Sequence, residues 1–410
     1  MPPVRVLSLN QVHVALDALD TEDILASQAK AFHSYSANQT QTPQRSTLQT
    51  DNHSTLIMPS RIDTQTSVIK VVSVPKKDSK NGLPGVTLVM DNETGEPRGL
   101  VNARLLTALR TAAGSALATR AVFSAKYNND NNKGREGHVN YGERSLTLVI
   151  FGSGAQAKAH IQLLIHILPQ IKTVVICNRT LPRAQELIQE LAPKYNQQVD
   201  FWAFSISTGE STPRAMTTIT MAVNSSIPQQ HEPTLELIVS SADIICTCTN
   251  SKEALFKGDW VQPGTHINMV GSFKPDMHEV DQTLIQRAFT MVDARRECEE
   301  EAGELILARK ESGYDGILAE LGQLFDEQGT LDVQKIPSEF GSLTWTASSL
   351  GQPRSPIATV ASKSMSASTM ISSKDVSIFK SVGIAAQDVA ITALVLDKAE
   401  LMGLGNVVDI

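Results

Sequence analysis

Residues 146–168 read LTLVIFGSGAQAKAHIQLLIHIL, and this run constrains the fold more than any other. An apolar stretch of strand length enters a glycine turn and leaves directly as a helix-patterned segment. The turn matches G-x-G-x-x-[GA] in the setting that motif requires. Gly152 permits a tight turn, and Gly154 removes a side chain where a pyrophosphate must approach. Ala155 and Ala157 let the helix lie close to the sheet. The helix N-terminus then offers unpaired N–H groups and partial positive charge to phosphate. This turn is therefore a candidate dinucleotide-binding loop.

The same regime continues downstream. TVVICN, ADIICT and THINMV are continuous apolar runs alternating with helix-patterned segments at 155–168 and 181–192. Strands apolar on both faces between helices predict a parallel, doubly wound sheet of Rossmann type, an α/β fold. The end of the second strand selects the cofactor. Enzymes that bind NAD place a carboxylate there for the ribose 2′-hydroxyl, whereas this chain has Asn178, Arg179 and Thr180. These three can hydrogen-bond a 2′-phosphate, the guanidinium with charge assistance, so NADP(H) is the expected cofactor.

Composition removes several other classes. With 36 Lys and Arg against 43 Asp and Glu the net charge is -7, and no basic block or aromatic-basic stripe is present, which argues against a nucleic-acid partner. No stretch approaches the ~18 apolar residues needed to span a bilayer, so no membrane role is expected. MPPVRVLSLNQVHVALDAL lacks the continuous apolar run of a secretory signal. Cys177, Cys246, Cys248 and Cys298 form no spaced framework, which predicts reduced thiols, a cytoplasmic location and no metal site.

The flanks differ from the middle. A helix is expected at 17–36. From 54 to 90, TLIMPS, SVIKVVSVP and GVTLVMD read as strands, followed by an Ala-rich helix from about Asn102 to Phe123. VSIFKSVGIAAQDVAITALVLDKAELMG closes the chain as a turn and a long helix. The expected organisation is one α+β domain from residues 1–120 and 376–410, and a nucleotide domain from 121–375. Polar stretches near 126–143, 203–233 and 337–372 read as surface insertions. A chain that leaves one domain and returns to it should have adjoining termini.

Two cations stand out in the flanking domain. Arg110 shares its helix face with Ala103, Leu106, Thr107, Ala113, Gly114 and Leu117, the small and apolar stripe. A guanidinium held there needs an anion, either a substrate carboxylate or a structural Asp or Glu. Lys70 shares a strand face with Val68, Val72 and Val74. It reads either as an edge-strand lysine that blocks aggregation or as a partly desolvated ammonium at a site. Arg45 lies in a polar loop and draws no attention by itself.

Together these residues resemble a known family. The run DNETGEPRGLVNARLLTALRTAAGSALAT, then VIFGSGAQAKAH, CNRT, ADIICTCTN and GDWVQPGTHINMVGSFKPDMHEVD, is similar to the ornithine cyclodeaminase/mu-crystallin family; EAGEL at 301–305 and IFKSVGIAAQDVA at 378–390 extend the match. The resemblance covers most of the chain outside the polar insertions. It implies a homodimer with a substrate and dimerisation domain from both chain ends. It also implies that Arg45 and Arg110 hold the substrate carboxylate and that Lys70 contacts the substrate in a catalytic role. The implied cofactor contacts are Gly152 to Gln156, Asn178, Arg179, Thr180, Thr247, Thr249 and Ser381.

Two departures indicate the branch. Cyclodeaminases carry an Asp in a GGD segment where this chain has Gly271, Ser272 and Phe273, and an acidic residue at the position of Asn178. The resemblance is therefore to the ketimine reductases and amino-acid dehydrogenases of the mu-crystallin branch. A third departure is Gly85, where relatives often have Thr. The implied reaction is NADPH-dependent reduction of a carboxylate-bearing, cyclic ketimine such as Δ1-pyrroline-2-carboxylate or Δ1-piperideine-2-carboxylate, in amino-acid metabolism. The alternatives are an NADP-dependent amino-acid dehydrogenase, an ornithine cyclodeaminase and a non-catalytic NADPH-binding protein.

Overall fold

The computed structural model describes residues 3–63, 66–76, 83–129, 144–195, 198–206, 234–343 and 374–409. The chain divides into two compact units. The first comprises Met1–Leu117, Glu320–Lys335 and Gly383–Ile410; the second comprises Ala118–Ala319 and Ile336–Val382.

In the first unit the strands are β1 (Val4–Leu7), β2 (Thr40–Gln41), β3 (Ser46–Gln49), β4 (His53–Ile62), β5 (Ser67–Pro75), β6 (Gly85–Met90) and β7 (Pro97–Asn102). The second unit holds β8 (Leu146–Phe151), β9 (Ile171–Asn178), β10 (Asp200–Ser205), β11 (Ile244–Thr247), β12 (His266–Met269), β13 (Ala288–Val292), β14 (Ile317–Glu320) and β15 (Val376–Lys380), and the chain returns to the first with β16 (Asn406–Val408).

The first sheet runs β16-β1-β7-β6-β5-β4-β2, with β3 on β4. Its inner strands β4 to β7 are antiparallel neighbours, and β1 joins β7 in parallel. The termini adjoin as expected: Val4 pairs with Val408 across β1 and β16. The helix Ala385–Leu401 packs on β4 and β5, where Ala385 meets Met58 and Val72.

The first helical region departs from expectation. Leu9–Asp17 is a helix of its own, begun by a Ser8/Gln11 capping box, and Asp20 caps a second over Thr21–Ser36. Residues 320–335, expected in the nucleotide domain, cluster with the first unit. Gly322 lies so close to Phe32 that an added Cβ would stand 2.0 Å from that residue's carbonyl oxygen, and His33 Nδ1 lies 2.8 Å from the carbonyl of Phe325.

The second sheet runs β10-β9-β8-β11-β12-β15-β13-β14, and every pair from β10 to β13 is parallel. The chain winds outward from β8 through β9 to β10, then returns to the other side of β8 with β11. That reversal places the switch point at the carboxyl ends of β8 and β11, where doubly wound sheets bind ligands. β8, β11, β12 and β15 are buried at every residue, so none presents a solvent face; β8 and β11 are nearly all apolar, while polar side chains on β12 and β15 find partners inside, His266 Nδ1 lying 2.9 Å from Ser377 Oγ.

Most of the three expected insertions lies outside the described residues. Their described edges are ordered: the helix Arg104–Asn129 continues past residue 126, β10 occupies residues 200–205, and Ser338–Ser342 is helical. Phe201, Trp202, Ala203 and Phe204 are buried on β10, an apolar run too short to stand out beside the polar residues that follow.

Candidate active site

In the first unit β5 is an inner strand, flanked by β4 and β6, with Lys70 opposite Met58 and Thr87. The edge-strand reading of Lys70 is thereby overturned. Its side chain is 1% exposed, and Nζ donates to Oδ1 of Asp388 at 3.0 Å. Asp388 projects from the first turn of the helix Ala385–Leu401. Arg110 Nε lies 3.6 Å from the same oxygen, so one buried carboxylate stands between two buried cations.

Arg110 is held from a second direction. Its Nη1 donates to Gln387 Oε1 at 3.0 Å, while Gln387 Nε2 donates to the Arg110 carbonyl at 2.7 Å. Gln28 Nε2 in turn donates to the Gln387 carbonyl at 3.3 Å. Gly383 has φ +83°, and an added Cβ would stand 2.3 Å from Nη1 of Arg110. The guanidinium is fixed by an amide on one side and seated against bare backbone on the other. Both alternatives for Arg110 therefore have support: it has a protein carboxylate nearby, yet its Nε makes no hydrogen bond.

The electrostatics follow from burial. Desolvation pulls Lys70 from 10.5 down to about 8, the charges of Arg110 and Arg45 act in the same direction, and Asp388 opposes them. A depression of that size corresponds to ~3 kcal/mol against the ammonium form. Lys70 is thus a group able to hold or release a proton near neutral pH. Arg45 is half-buried just before β3, close enough for Lys70 to sense its charge. Gly85, the position where relatives often have Thr, pairs with Val72. An added Cβ would lie 2.8 Å from the Val71 carbonyl, so the close approach of β5 and β6 explains the glycine.

In the second unit the glycine loop has the geometry a dinucleotide needs. Gly152 has φ +108°, and an added Cβ would stand 2.7 Å from the Cys248 carbonyl, which rules out a side chain there. Gly154 begins the helix Ala155–Ile167 with no side-chain cap, and a Cβ on it would meet nothing within 4 Å. The first N–H groups of that helix are thus left for a ligand. Gln156 Oε1 is buried with no hydrogen-bond partner, and Ser153 is half-buried beside it. At the end of β9, Asn178 is half-buried with Nδ2 donating to the Thr180 carbonyl at 2.8 Å, while Arg179 and Thr180 are exposed. The donor set fits a dinucleotide.

Three expected cofactor contacts have other engagements. Thr247 Oγ1 donates to Glu279 Oε2 at 2.8 Å, and Thr249 donates to Glu279 Oε1 through both backbone N–H and hydroxyl, each at 2.7 Å. Ser381 Oγ donates to Asp293 Oδ2 at 2.7 Å. Buried carboxylates thus brace the loops after β11 and β15, and the hydroxyls of these three residues serve that bracing. Glu279 also accepts from the Gly271 N–H at 2.8 Å, and Lys380 Nζ donates to the Ser272 carbonyl at 2.6 Å. Position 273, a phenylalanine, carries no carboxylate, and its ring packs against the apolar core of this unit.

Asp388 and Gln387 are not singled out by the sequence. The only signal was an adjacent pair of polar residues in AAQDVAITALVL, a stretch otherwise apolar on all sides. Among the described residues no cluster of His, Cys, Asp or Glu could hold a metal ion, and no helix is long and apolar enough to cross a membrane. Cys177, Cys246 and Cys298 are buried free thiols, and Cys248 is half-buried.

Residues 6–130 and 210–342 match the model of the ornithine cyclodeaminase/mu-crystallin family. The chain belongs to that family. A Delta(1)-pyrroline-2-carboxylate reductase of Bacillus cereus is 27% identical over 400 residues, covering 95% of this chain and 96% of its relative. The ketimine reductase mu-crystallin of Rattus norvegicus is 30% identical over 258 residues, 62% of this chain and 64% of that protein. Among solved structures, the Thermococcus litoralis Delta(1)-pyrroline-2-carboxylate reductase, in complex with NADH and L-proline, superposes with a TM-score of 0.70. It is 21% identical and covers 98% of this chain and 99% of its own, a likeness of fold.

Proposed function

We propose that the chain is an NADPH-dependent reductase of cyclic ketimines that carry a carboxylate next to the C=N bond, Δ1-pyrroline-2-carboxylate foremost. The observation that carries this reading is the buried arrangement of Lys70, Asp388 and Arg110. Curated relatives that span nearly the whole chain are named for reduction of that compound. Phe273, half-buried against the core where cyclodeaminases have Asp, weighs against the lyase alternative.

Arg110, with Arg45, would clamp the carboxylate, and much of the rate would come from that positioning. Lys70 would donate to the imine nitrogen, making it an iminium that accepts hydride more readily. The dinucleotide, when bound, supplies the hydride. The loop Gly152 to Gln156 would hold its pyrophosphate. Asn178, Arg179 and Thr180 would receive a 2′-phosphate, which favours NADPH over NADH; Thr247, Thr249 and Ser381, their hydroxyls engaged by Glu279 and Asp293, would shape the loops around the cofactor. A cytoplasmic homodimer accords with the free thiols and the family.

The test is a panel of cyclic ketimines, and of 2-oxo acids with ammonia or amines, assayed in parallel with NADPH and NADH. Turnover of cyclic ketimines without added amine, faster with NADPH, is the expected result. A requirement for an amine would establish the amino-acid dehydrogenase instead, and cofactor binding without turnover the non-catalytic protein.

A further inference from the structure

We propose that Asp388 is the positioning residue of this site, which keeps the proton on Lys70 and aims that ammonium at the substrate nitrogen. The proposal deepens the reductase reading and rests on it. Asp388 comes from the helix Ala385–Leu401, Lys70 from β5 and Arg110 from the helix Arg104–Asn129, so three elements converge on one carboxylate.

Oδ1 carries both cations, accepting from Lys70 Nζ at 3.0 Å with Arg110 Nε 3.6 Å away. Oδ2 is buried and has no hydrogen-bond partner. A bridge that served only to join helix to sheet would satisfy both oxygens, because an orphaned buried acceptor is costly. It would also be dispensable, since a packed apolar pair does that work at least as well as buried charges.

The charged groups that act on Lys70 are Asp388, Arg110 and Arg45. Burial and both arginines disfavour its ammonium form, and of the three only Asp388 favours it. The aim is fixed as well as the charge. The neighbouring Gln387 is bound to Arg110 twice and to Gln28, which clamps this turn of the helix.

As hydride from the dinucleotide reaches the imine carbon, an N–H bond forms at the imine nitrogen and one N–H bond of Lys70 breaks. Lys70 is left neutral and regains its proton from solvent. Asp388 exchanges no proton in this step, and its pairing with Lys70 favours the ammonium that donates.

The experiment measures kcat/KM for NADPH-linked reduction of Δ1-pyrroline-2-carboxylate against pH in the full-length wild type, D388N and D388E. Ionisation of the substrate affects all three profiles equally, so the difference between them is read. Wild-type activity is expected to fall as pH rises through the Lys70 transition near 8. D388N should lose about tenfold or more, with its alkaline limb moved down by about one pH unit or more. D388E should return the limb to the wild-type position while kcat/KM stays at least about tenfold low, since the charge is kept and the aim is not.

A D388N profile lowered by one factor at every pH would overturn the proposal. So would wild-type kcat/KM in D388E, or a D388E limb moved down as in D388N. If D388N does not fold, the D388E profile decides by those same criteria. A wild-type chain that turns over no ketimine overturns the reductase reading, and with it this role for Asp388.

Discussion

Gly383→Ala tests the seating of Arg110 without touching a charged residue. The added Cβ would stand 2.3 Å from Nη1, while ordinary contact begins at 3.4 Å, so the guanidinium must retreat by about 1.1 Å. Displacement of a clamping group by ~1 Å costs on the order of 100-fold in rate. The φ of +83° adds backbone strain of about 1–3 kcal/mol, which appears as a lowered Tm. The assay is kcat/KM with Δ1-pyrroline-2-carboxylate, measured well below the Tm of the variant. A double-mutant cycle with Arg110→Ala separates the two effects: if Gly383→Ala acts through Arg110, adding it to Arg110→Ala costs almost nothing further. Wild-type kcat/KM in Gly383→Ala, or full additivity in the cycle, would refute the seating argument.

Other outcomes follow from the second unit. Asn178→Asp places a carboxylate where a 2′-phosphate is expected. It should weaken NADPH binding by on the order of tenfold or more and narrow or reverse the preference over NADH, read by fluorescence titration. His160 and His266 are buried, and desolvation lowers them to about 4 and about 3, with Lys126 also depressing His266. Their native forms are neutral, so their stabilising contribution is full above the unfolded value near 6.5 and is lost as pH falls below it. Between about pH 6.5 and pH 4.5 the pair should remove ~2.7 kcal/mol per pH unit, and His160→Gln should halve that slope in denaturant titrations.

The second unit was legible in the sequence because its signals are local. β8, the turn and the following helix are contiguous, and strands buried on both faces announce themselves as unbroken apolar runs. The substrate side was legible only in part. Arg110 showed itself as a cation on an apolar helix face, but its partners Gln387 and Asp388 lie 277 and 278 positions away, and no local pattern joins them. Lys70 was ambiguous for the same reason. Whether β5 is an edge or an inner strand depends on its pairing with β4 and β6, which the strand's own alternation does not encode. The bracing carboxylates Glu279 and Asp293 were invisible too. Each engages a hydroxyl from a distant strand end, so the threonines and serine expected to face the cofactor read in sequence as free donors.

Reduction of a carboxylate-bearing ketimine adds hydride and a proton without changing the carbon skeleton, so products distinguish it from every alternative. The measurement is product stoichiometry: Δ1-pyrroline-2-carboxylate with NADPH, followed by NADPH absorbance and by quantitation of proline. Proline formed mole for mole with NADPH oxidised is expected, with no ammonia released from ornithine in a parallel reaction. Proline and ammonia formed from ornithine with no net cofactor change, or tight NADPH binding with no proline from the ketimine, would contradict the reductase reading.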